Sequence, residues 1–384
     1  MIRQPLPSQR HLFDVPDDVA YFNCAYLAPQ LSETRATLLA GVQRKSHPWT
    51  RNPPHFFDDA EKLRQAASLA LGGDVDGYAV VPSASYGLCT AARIMEPQLG
   101  RADTILVMAE EFPSAVLAWR RVAAQTGAVL ETIPTPSDGD WTRAILERIR
   151  PGVKVVSLSQ CHWTNGSFVN LAPIGQACRS TGSVLVVDAT QSLGAIPLSI
   201  AEVQPDFLVA AGFKWMLSPY GFGLLYVDEK WRNARPLEET WQARVNAEDF
   251  SGLMNYSDTY MPGARRFDVG QKGTEAILPG AVAALTQIGA WGVDNIAATL
   301  SAVNARIAAH LDRLGFILPP ETQRSPHMLG VKLPLGCTRN VVDALKERQI
   351  YISQRGNFLR FSPHMHVTNA DVDKLLDALS IAMD

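Results

Sequence analysis

A lysine, an aspartate and a small cluster of serines are the residues of this sequence whose types and positions favour chemistry. Asp188 ends the apolar segment SVLVVD, Lys214 is the third residue after the apolar segment DFLVAA, and the run Ser83, Ala84, Ser85 follows YAVVP. A lysine amine can form a Schiff base with a carbonyl group and can carry protons. A carboxylate can keep a ring nitrogen protonated, and the start of a helix attracts phosphate.

Strands must position these residues, because apolar segments alternate with amphipathic ones through the first 270 residues. The predicted strands are Tyr78–Pro82, Thr104–Ala109, Ala128–Ile133, Val153–Ser159, Ser183–Asp188, Asp206–Ala211 and Gly223–Val227. The segments between them that have helical periodicity include Ser114–Thr126, Trp141–Arg150 and Ile174–Thr181. The central strands are continuously apolar, which is typical of parallel strands buried on both faces. The pattern therefore predicts an α/β fold with a mostly parallel sheet.

The pattern changes after about residue 270. Two long helices, then short strands and a last helix, are predicted at Ala276–Trp291, Val293–Leu314, Met328–Leu333, Ile350–Ile352 and Ala370–Ala382. This succession indicates a smaller C-terminal α+β domain. We expect an N-terminal segment at residues 1–20, a large α/β domain at residues 21–290 and the small domain at residues 291–384.

Ligands of open α/β sheets bind at the carboxyl ends of the strands. Asp188, Lys214 and the Ser83–Ser85 run all lie at such ends, so we expect them to converge on one edge of the sheet. Pyridoxal 5′-phosphate (PLP) needs this combination, because its aldehyde binds a lysine, its pyridine nitrogen needs a carboxylate and its phosphate needs backbone N–H groups. The sequence therefore predicts a PLP enzyme.

Two segments carry a family resemblance: VVDATQSLGAIPLSI and PDFLVAAGFKWMLSPYGFGLLYV. They resemble the core signature of the class V aminotransferases, which have the PLP-dependent transferase fold type I. This family includes cysteine desulfurases, kynureninases and isopenicillin-N epimerase-like proteins. The resemblance extends, more thinly, over nearly the whole chain, and it implies a homodimer with the active site at the interface.

The resemblance also implies roles for individual residues. The cofactor ligands would be Lys214 as Schiff-base lysine, Asp188 at the pyridine nitrogen, Gln191 at the ring hydroxyl, Phe112 stacked on the ring, Ser83, Ala84 and Ser85 at the phosphate, and Gln271 and Thr274 at the partner subunit's phosphate. The substrate ligands would be Arg360 at the α-carboxylate, with Trp163, Arg355 and Tyr26 as further pocket residues. Arginine suits the first of these tasks because its planar fork binds a carboxylate through two hydrogen bonds.

Two departures from the desulfurase pattern bear on the reaction. Desulfurases often place a histidine directly before the lysine and a serine three residues before it, where this chain has Phe213 and Ala211. They also carry a nucleophilic cysteine on a C-terminal loop, whereas residues 350–360 contain none and Cys337 lies upstream. We therefore expect an aminotransferase or a C–S/β-lyase acting at Cα and Cβ of an amino acid, rather than a persulfide-forming desulfurase.

Other functions stay open at this point. A kynureninase-like hydrolase or an amino-acid epimerase could use the same scaffold, and a degenerate PLP fold could serve as a binding or regulatory protein. A nucleotide-binding dehydrogenase would need a GxGxxG fingerprint after an early strand, and the run SASYG does not supply one.

Composition excludes several classes of protein. The 384 residues carry a net charge of −3 without a basic stripe, so a nucleic-acid partner is not expected. We find no apolar run long enough for a bilayer, no signal peptide and no cysteine or histidine spacing typical of a metal site. A cytoplasmic enzyme with no membrane partner and no metal is the expectation.

Overall fold

The protein is described by a computed structural model that covers residues 4–272, 274–335 and 339–383. The strands are β1 (Ala20–Tyr21), β2 (Tyr78–Val81), β3 (Thr104–Met108), β4 (Val129–Ile133), β5 (Val153–Ser159), β6 (Val184–Asp188), β7 (Phe207–Ala211), β8 (Gly223–Val227), β9 (Leu329–Lys332), β10 (Ile350–Tyr351), β11 (Ser353–Arg355) and β12 (Phe358–Phe361). The α-helices are α1 (Ser32–Lys45), α2 (Asp58–Leu71), α3 (Ala84–Met95), α4 (Pro113–Thr126), α5 (Trp141–Leu146), α6 (Leu171–Thr181), α7 (Ile200–Val203), α8 (Ile277–Trp291), α9 (Val293–Arg313), α10 (Val341–Lys346) and α11 (Asn369–Met383).

The central sheet has seven strands in the order β2-β8-β7-β6-β5-β3-β4. Only β8 runs antiparallel to its neighbours, so the mostly parallel α/β sheet is confirmed. Side chains alternate between two cores: Tyr78 and Val80 of β2 pack on one face, and Ala79 and Val81 pack on the other. Because both faces are covered, the strands read as continuous apolar runs rather than as alternating ones.

Two helices before the sheet, α1 and α2, were not anticipated from periodicity. Helix α1 exposes Leu39 and Val42, so its apolar residues do not follow one buried stripe. A third helix differs in length: the prediction of Trp141–Arg150 ran too far, because α5 ends at Leu146. After Leu146 the backbone turns more tightly, since Arg148 N donates to Ile145 O and Ile149 N donates to Leu146 O. Pro151 then disfavours the helical region for Arg150.

The C-terminal part contains an antiparallel sheet in the order β11-β12-β9, with α9, α10 and α11 packed in one core. The N-terminal chain also joins this part, because β1 pairs with β10 in parallel and Ala20 and Phe22 lie in the same core. Domain limits near residues 20 and 290 stay predictions. Cys337 lies outside the described residues, and none of the described helices has the length and apolarity needed to cross a membrane.

Three buried histidines of the C-terminal part bind backbone carbonyl groups of distant segments. The Nε2 atoms of His327, His364 and His366 donate to the carbonyl oxygens of Gln191, Trp215 and Tyr21, respectively. Burial lowers the pKa of these three imidazoles to about 3, 3 and 4. All three rings are therefore neutral in the folded protein at neutral pH.

We expect this neutrality to make the fold labile to acid. An unfolded histidine binds a proton below about pH 6.5, whereas the folded ones do so only near pH 3 to 4. The contribution of these histidines to stability is therefore complete above pH 6.5 and falls as the pH drops below it, by about 1.4 kcal/mol per pH unit for each histidine. Urea unfolding of His327→Gln between pH 7 and pH 5 should show a shallower loss, while the control His11→Gln, at an exposed site, should not. Equal slopes for the two variants and the parent would contradict the prediction.

Candidate active site

One pocket lies at the edge of the sheet where β2, β5, β6 and β7 end. Asp188 is the last residue of β6 and pairs in register with Ser159, the last residue of β5. Lys214 follows β7 by three residues. The predicted site residues that line this pocket are Ser83, Ala84, Ser85, Phe112, Trp163, Asp188, Gln191 and Lys214. Parallel strands bring these residues together because all of their carboxyl ends meet at the same edge.

Lys214 is largely buried, and its amine is poised for deprotonation. Burial lowers its pKa to about 8, the carboxylate of Asp188 opposes this shift, and the charges of Arg360 and Arg355 add to it. Its Nζ lies 5.9 Å from the centroid of the Phe112 ring and 5.6 Å from that of Phe213. An amine with such a pKa is partly neutral near pH 8 and can act as a nucleophile or a base.

Asp188 is buried, and its carboxylate has few partners on the protein. One oxygen accepts a hydrogen bond of 2.9 Å from the Thr190 amide. Burial raises the pKa of Asp188, while its bonds to Thr190 and the charge of Lys214 oppose the shift. A buried carboxylate in this position favours a cationic ring nitrogen as its ligand.

Gln191 is tied to the surrounding protein through both ends of its amide. Its Nε2 donates to Ala25 O at 3.1 Å, and its Oε1 accepts from Trp215 Nε1 at 2.9 Å. An amide nitrogen has two hydrogens, so one further donor remains for a ligand in the pocket. The predicted contact to a ring hydroxyl stays a prediction that this geometry permits.

The start of α3 forms the opposite end of the pocket. Ser83 is its N-cap, and its Oγ accepts from the Tyr86 amide at 3.2 Å. Ser85 Oγ donates to Ser114 Oγ at 2.7 Å. The first-turn amides of a helix have no acceptor within the helix, so those of Ala84 and Ser85 suit a phosphate, together with the hydroxyl groups and the helix dipole.

Aromatic rings wall the pocket. Phe112 and Trp163 meet edge to face, with ring centroids 5.5 Å apart, and Trp163 Nε1 donates to Glu110 O at 2.7 Å. Phe213 and Tyr220 line the pocket as a second pair, 4.6 Å apart. Phe213 and Ala211 occupy the places where desulfurases often have histidine and serine, so this wall is less polar.

Arg360 is buried beside the pocket, on β12. Its Nε donates to Ser353 Oγ at 3.1 Å, and its Nη1 donates to the carbonyl oxygen of Trp163. Burial lowers the pKa of the guanidinium to about 10. Because it remains charged at neutral pH without a carboxylate partner among the described residues, it is suited to bind a carboxylate of a ligand.

The remaining predicted residues lie at other places. Gln271, with a φ of 59°, and Thr274 do not line the Lys214 pocket, and Thr274 Oγ1 is a buried atom without a hydrogen-bond partner in the described part of the chain. Tyr26 is exposed, and its ring centroid lies 6.0 Å from the guanidinium carbon of Arg355. The predicted role of Gln271 and Thr274 at a partner's phosphate stays a prediction.

Sequence analysis missed Glu111, which lines the same pocket. Its Oε1 accepts a hydrogen bond of 2.6 Å from Ser159 Oγ, and no cation pairs with it in the described part of the chain. Burial raises the pKa of Glu111 to about 8, Ser159 opposes the shift, and the nearby Asp188 adds to it. Glu111 therefore carries a proton at pH 7 in the folded chain. The segment EEFPS contains no signal for this, since the burial depends on the sheet edge.

The variant Glu111→Gln should be more stable than the parent at neutral pH. The folded chain holds the Glu111 proton up to about pH 8, whereas the unfolded chain releases it near pH 4.5, so the parent loses stability as the pH rises through this window. Glutamine does not titrate, so the gain should be small at pH 5 and roughly 3 kcal/mol at pH 7. Urea unfolding at both pH values measures it, with the exposed Glu147→Gln as control. A gain independent of pH would refute the raised pKa.

The donor set of this pocket fits PLP. Four groups with suitable chemistry lie in one cavity: the amine of Lys214, the buried carboxylate of Asp188, the helix start at Ser83 and Ser85, and the ring of Phe112. PLP needs an amine for its aldehyde, an anion for its pyridine nitrogen and N–H or O–H donors for its phosphate.

Comparison with known proteins agrees with this geometry. The model of the class V aminotransferase family matches residues 55–375. A probable cysteine desulfurase of Pyrococcus abyssi is 27% identical over 196 residues, which are 51% of this chain and 47% of that protein. The isopenicillin N epimerase of Streptomyces clavuligerus is 24% identical over 336 residues, or 83% of each chain.

A solved structure supports the fold. The cystine C–S lyase C-DES, in complex with its reaction product cysteine persulfide, superposes with a TM-score of 0.83 at 20% identity and covers 95% of this chain and 98% of that chain. The family match, the sheet topology and the pocket agree with one another. This chain belongs to the class V aminotransferase family and is a PLP-dependent enzyme.

Proposed function

We propose that this enzyme binds PLP through Lys214 and acts at Cα and Cβ of an amino acid, as a C–S/β-lyase or an aminotransferase. The observation that carries the proposal is the shared pocket of Lys214 and Asp188, with Arg360 beside it. Asp188 would hold the pyridine nitrogen, and Ser83, Ala84 and Ser85 would hold the phosphate. When bound, PLP withdraws electrons from Cα of an amino acid.

The chain's own residues supply binding and proton transfer. Arg360 would bind the α-carboxylate and so orient Cα towards Lys214. Lys214, with its pKa lowered to about 8, takes the proton from Cα at its Nζ and can return it elsewhere on the substrate. Phe112 and Trp163 form an apolar wall of the site, which strengthens the interactions of the charged groups beside it.

Cys161 is the cysteine in the pocket wall, and its state favours a lyase without a cysteine nucleophile. Its Sγ accepts a hydrogen bond of 3.1 Å from Ser325 Oγ, and burial raises the pKa of the thiol to about 12. A thiol that is not ionised is a weak nucleophile. Residues 350–360 add no cysteine, so a sulfur-containing leaving group would depart from Cβ directly. The cystine C–S lyase among the similar structures supports this reaction class.

The aminotransferase alternative shares the same lysine and the same substrate contacts. It would differ in the fate of the substrate, because a transamination would release a keto acid and retain the amino group on the enzyme, with Lys214 moving the proton in both cases. A kynureninase-like hydrolase or an epimerase would also use the Cα proton. The products separate these reactions.

A homodimer belongs to the proposal, and so does a cytoplasmic location. Tyr220 lines the pocket yet is 71% exposed, and Phe112 is 45% exposed, so the pocket wall presents apolar rings on the surface of the single chain. A second copy would cover these rings and bring its own Gln271 and Thr274 to the phosphate end. Sedimentation of the purified protein measures the oligomeric state, and a monomer at micromolar concentration would exclude this arrangement.

The cofactor and the reaction can be tested in one preparation. The purified protein should be yellow with PLP, and borohydride should remove the visible band and modify Lys214 in the peptide map. A panel of amino acids, assayed for keto acid, ammonia and sulfide, then identifies the reaction. If borohydride leaves Lys214 unmodified, the cofactor assignment fails. Modified Lys214 without any product would instead favour a binding or regulatory protein.

A further inference from the structure

We infer that the substrate is an amino acid with a second negative charge on its side chain, bound by Arg355 while Arg360 binds the α-carboxylate. The inference rests on the proposed function, which it deepens by naming the class of substrate. It starts from the positions of two arginines on one β-hairpin.

The hairpin places both arginines on the same face. In the antiparallel pair of β11 and β12, Ser353 lies opposite Arg360, and Arg355 is two residues further along β11. Opposite residues share a face, and so do residues two apart on a strand. The hydrogen bond from Arg360 Nε to Ser353 Oγ, 3.1 Å, shows that Arg360 lies over this face. Arg355 and Arg360 are therefore diagonal neighbours, with a backbone separation of about 7–8 Å.

Neither guanidinium is neutralised by the protein. Arg360 donates to Ser353 Oγ and to the Trp163 carbonyl, and Arg355 donates to the carbonyl oxygen of Gln354. Within residues 4–272, 274–335 and 339–383, no carboxylate forms a salt bridge with either of them. By contrast, the buried Arg64 binds Asp268 through both of its terminal nitrogens. Two neighbouring cations that no protein carboxylate neutralises favour a ligand with two anionic groups.

The charges of Arg355 and Arg360 act on Lys214. Arg360 and Arg355 both lower the pKa of Lys214, and Arg355 also lowers that of Arg360. The pocket offers little negative charge in return, because Glu111 is protonated at neutral pH and Asp188 is assigned to the pyridine nitrogen. The substrate end of the site is therefore a positive region that favours a doubly anionic ligand.

The position of Arg355 defines which part of the ligand it reaches. It is the last residue of β11, next to the turn that leads to β12, and its guanidinium lies over the exposed ring of Tyr26. Arg360 is buried, whereas Arg355 is partly exposed. The α-carboxylate thus belongs to the buried guanidinium, and the side-chain anion belongs to the outer one. A carboxylate, sulfinate or sulfonate a few bonds from Cα has this geometry.

Isosteric pairs test the inference in the PLP-loaded enzyme. Aspartate should bind more tightly than asparagine, and glutamate more tightly than glutamine, by about 10- to 100-fold, as expected for one charge-assisted hydrogen bond. Arg355→Gln should abolish the preference for the acid, while Arg348→Gln, an exposed arginine without a carboxylate partner among the described residues, should retain it. Acids and amides that bind equally, or an unchanged preference in Arg355→Gln, would overturn the inference.

A second measurement separates this inference from the proposed function. Calorimetry with succinate and with propionate requires no amino-group chemistry and can be done with or without PLP. The parent protein should bind succinate more tightly than propionate, and Arg355→Gln should bind both alike. If the protein fails to bind PLP but shows this difference, the proposed function fails and the dianion site stands. If PLP binds and succinate has no advantage, the inference fails alone.

Discussion

Replacing Lys214 by alanine should abolish borohydride labelling of the protein and lower turnover by at least about 10²–10⁴-fold. In the proposed function this amine binds the cofactor aldehyde and moves the Cα proton, and the loss of a positioned acid–base group alone has this size. Among the described residues that line the pocket, Lys214 is the single lysine, so no other side-chain amine there could replace it. Product formation and the mass of the reduced protein measure the two effects.

A lysine elsewhere serves as the control for this experiment. Lys62 is 62% exposed on α2, and Lys62→Ala should leave labelling and turnover as in the parent. Arginine at position 214 would keep the charge without a nucleophilic amine, so Lys214→Arg should behave like the alanine variant. Continued turnover at the parent rate in Lys214→Ala or Lys214→Arg would remove Lys214 from the mechanism.

The second large effect concerns stability and comes from Asp268. This carboxylate is fully buried and accepts hydrogen bonds from Arg64, from Lys272 Nζ at 2.5 Å and from the Val80 amide at 2.8 Å. Asp268→Asn would leave the buried Lys272 without an anion and Arg64 with only its contact to Glu61, so the free energy of unfolding should fall by about 3–5 kcal/mol. Urea unfolding with an unchanged slope measures the loss.

A surface ion pair gives the matched control. Asp373 is 63% exposed and pairs with Arg306, so Asp373→Asn should cost less than about 1 kcal/mol. Equal losses in the two variants would contradict the special role of the buried cluster. Since Lys272 adjoins Gln271 in the chain, a weaker affinity of the Asp268→Asn variant for PLP would indicate that the cluster also positions Gln271.

The sequence alone sufficed for the sheet and for the centre of the site. Strands β5 and β8 have the bounds predicted for them, and the α/β fold, the family and PLP are confirmed. Valine-rich runs indicate strands that are buried on both faces of the sheet, and the carboxyl ends of parallel strands lie at the same edge. A residue placed directly after a strand is therefore placed in the site, which is why Asp188 and Lys214 could be paired before the structure was known.

Contacts between distant segments were beyond the reach of local patterns. Hairpin β11–β12 and the pairing of β1 with β10 were not predicted, because strands of two to four residues carry too little alternation. Arg64 and Asp268 of the ion cluster are 204 residues apart in the sequence. Gln191 and Ala25, which share a hydrogen bond, are 166 residues apart. Periodicity identifies which side of an element is buried, and it does not identify the partner.

The sequence by itself therefore determined the kind of chemistry. The lysine, the aspartate and the helix start each follow a buried strand, and parallel strands end at the same edge of the sheet. What only the tertiary structure decided was the state of these groups. Glu111 gains its proton because β5 and β6 bury it beside Asp188, and Arg355 gains its place beside Arg360 because a hairpin turns between them. Burial and proximity set pKa and charge balance, and both are properties of the folded chain rather than of any segment.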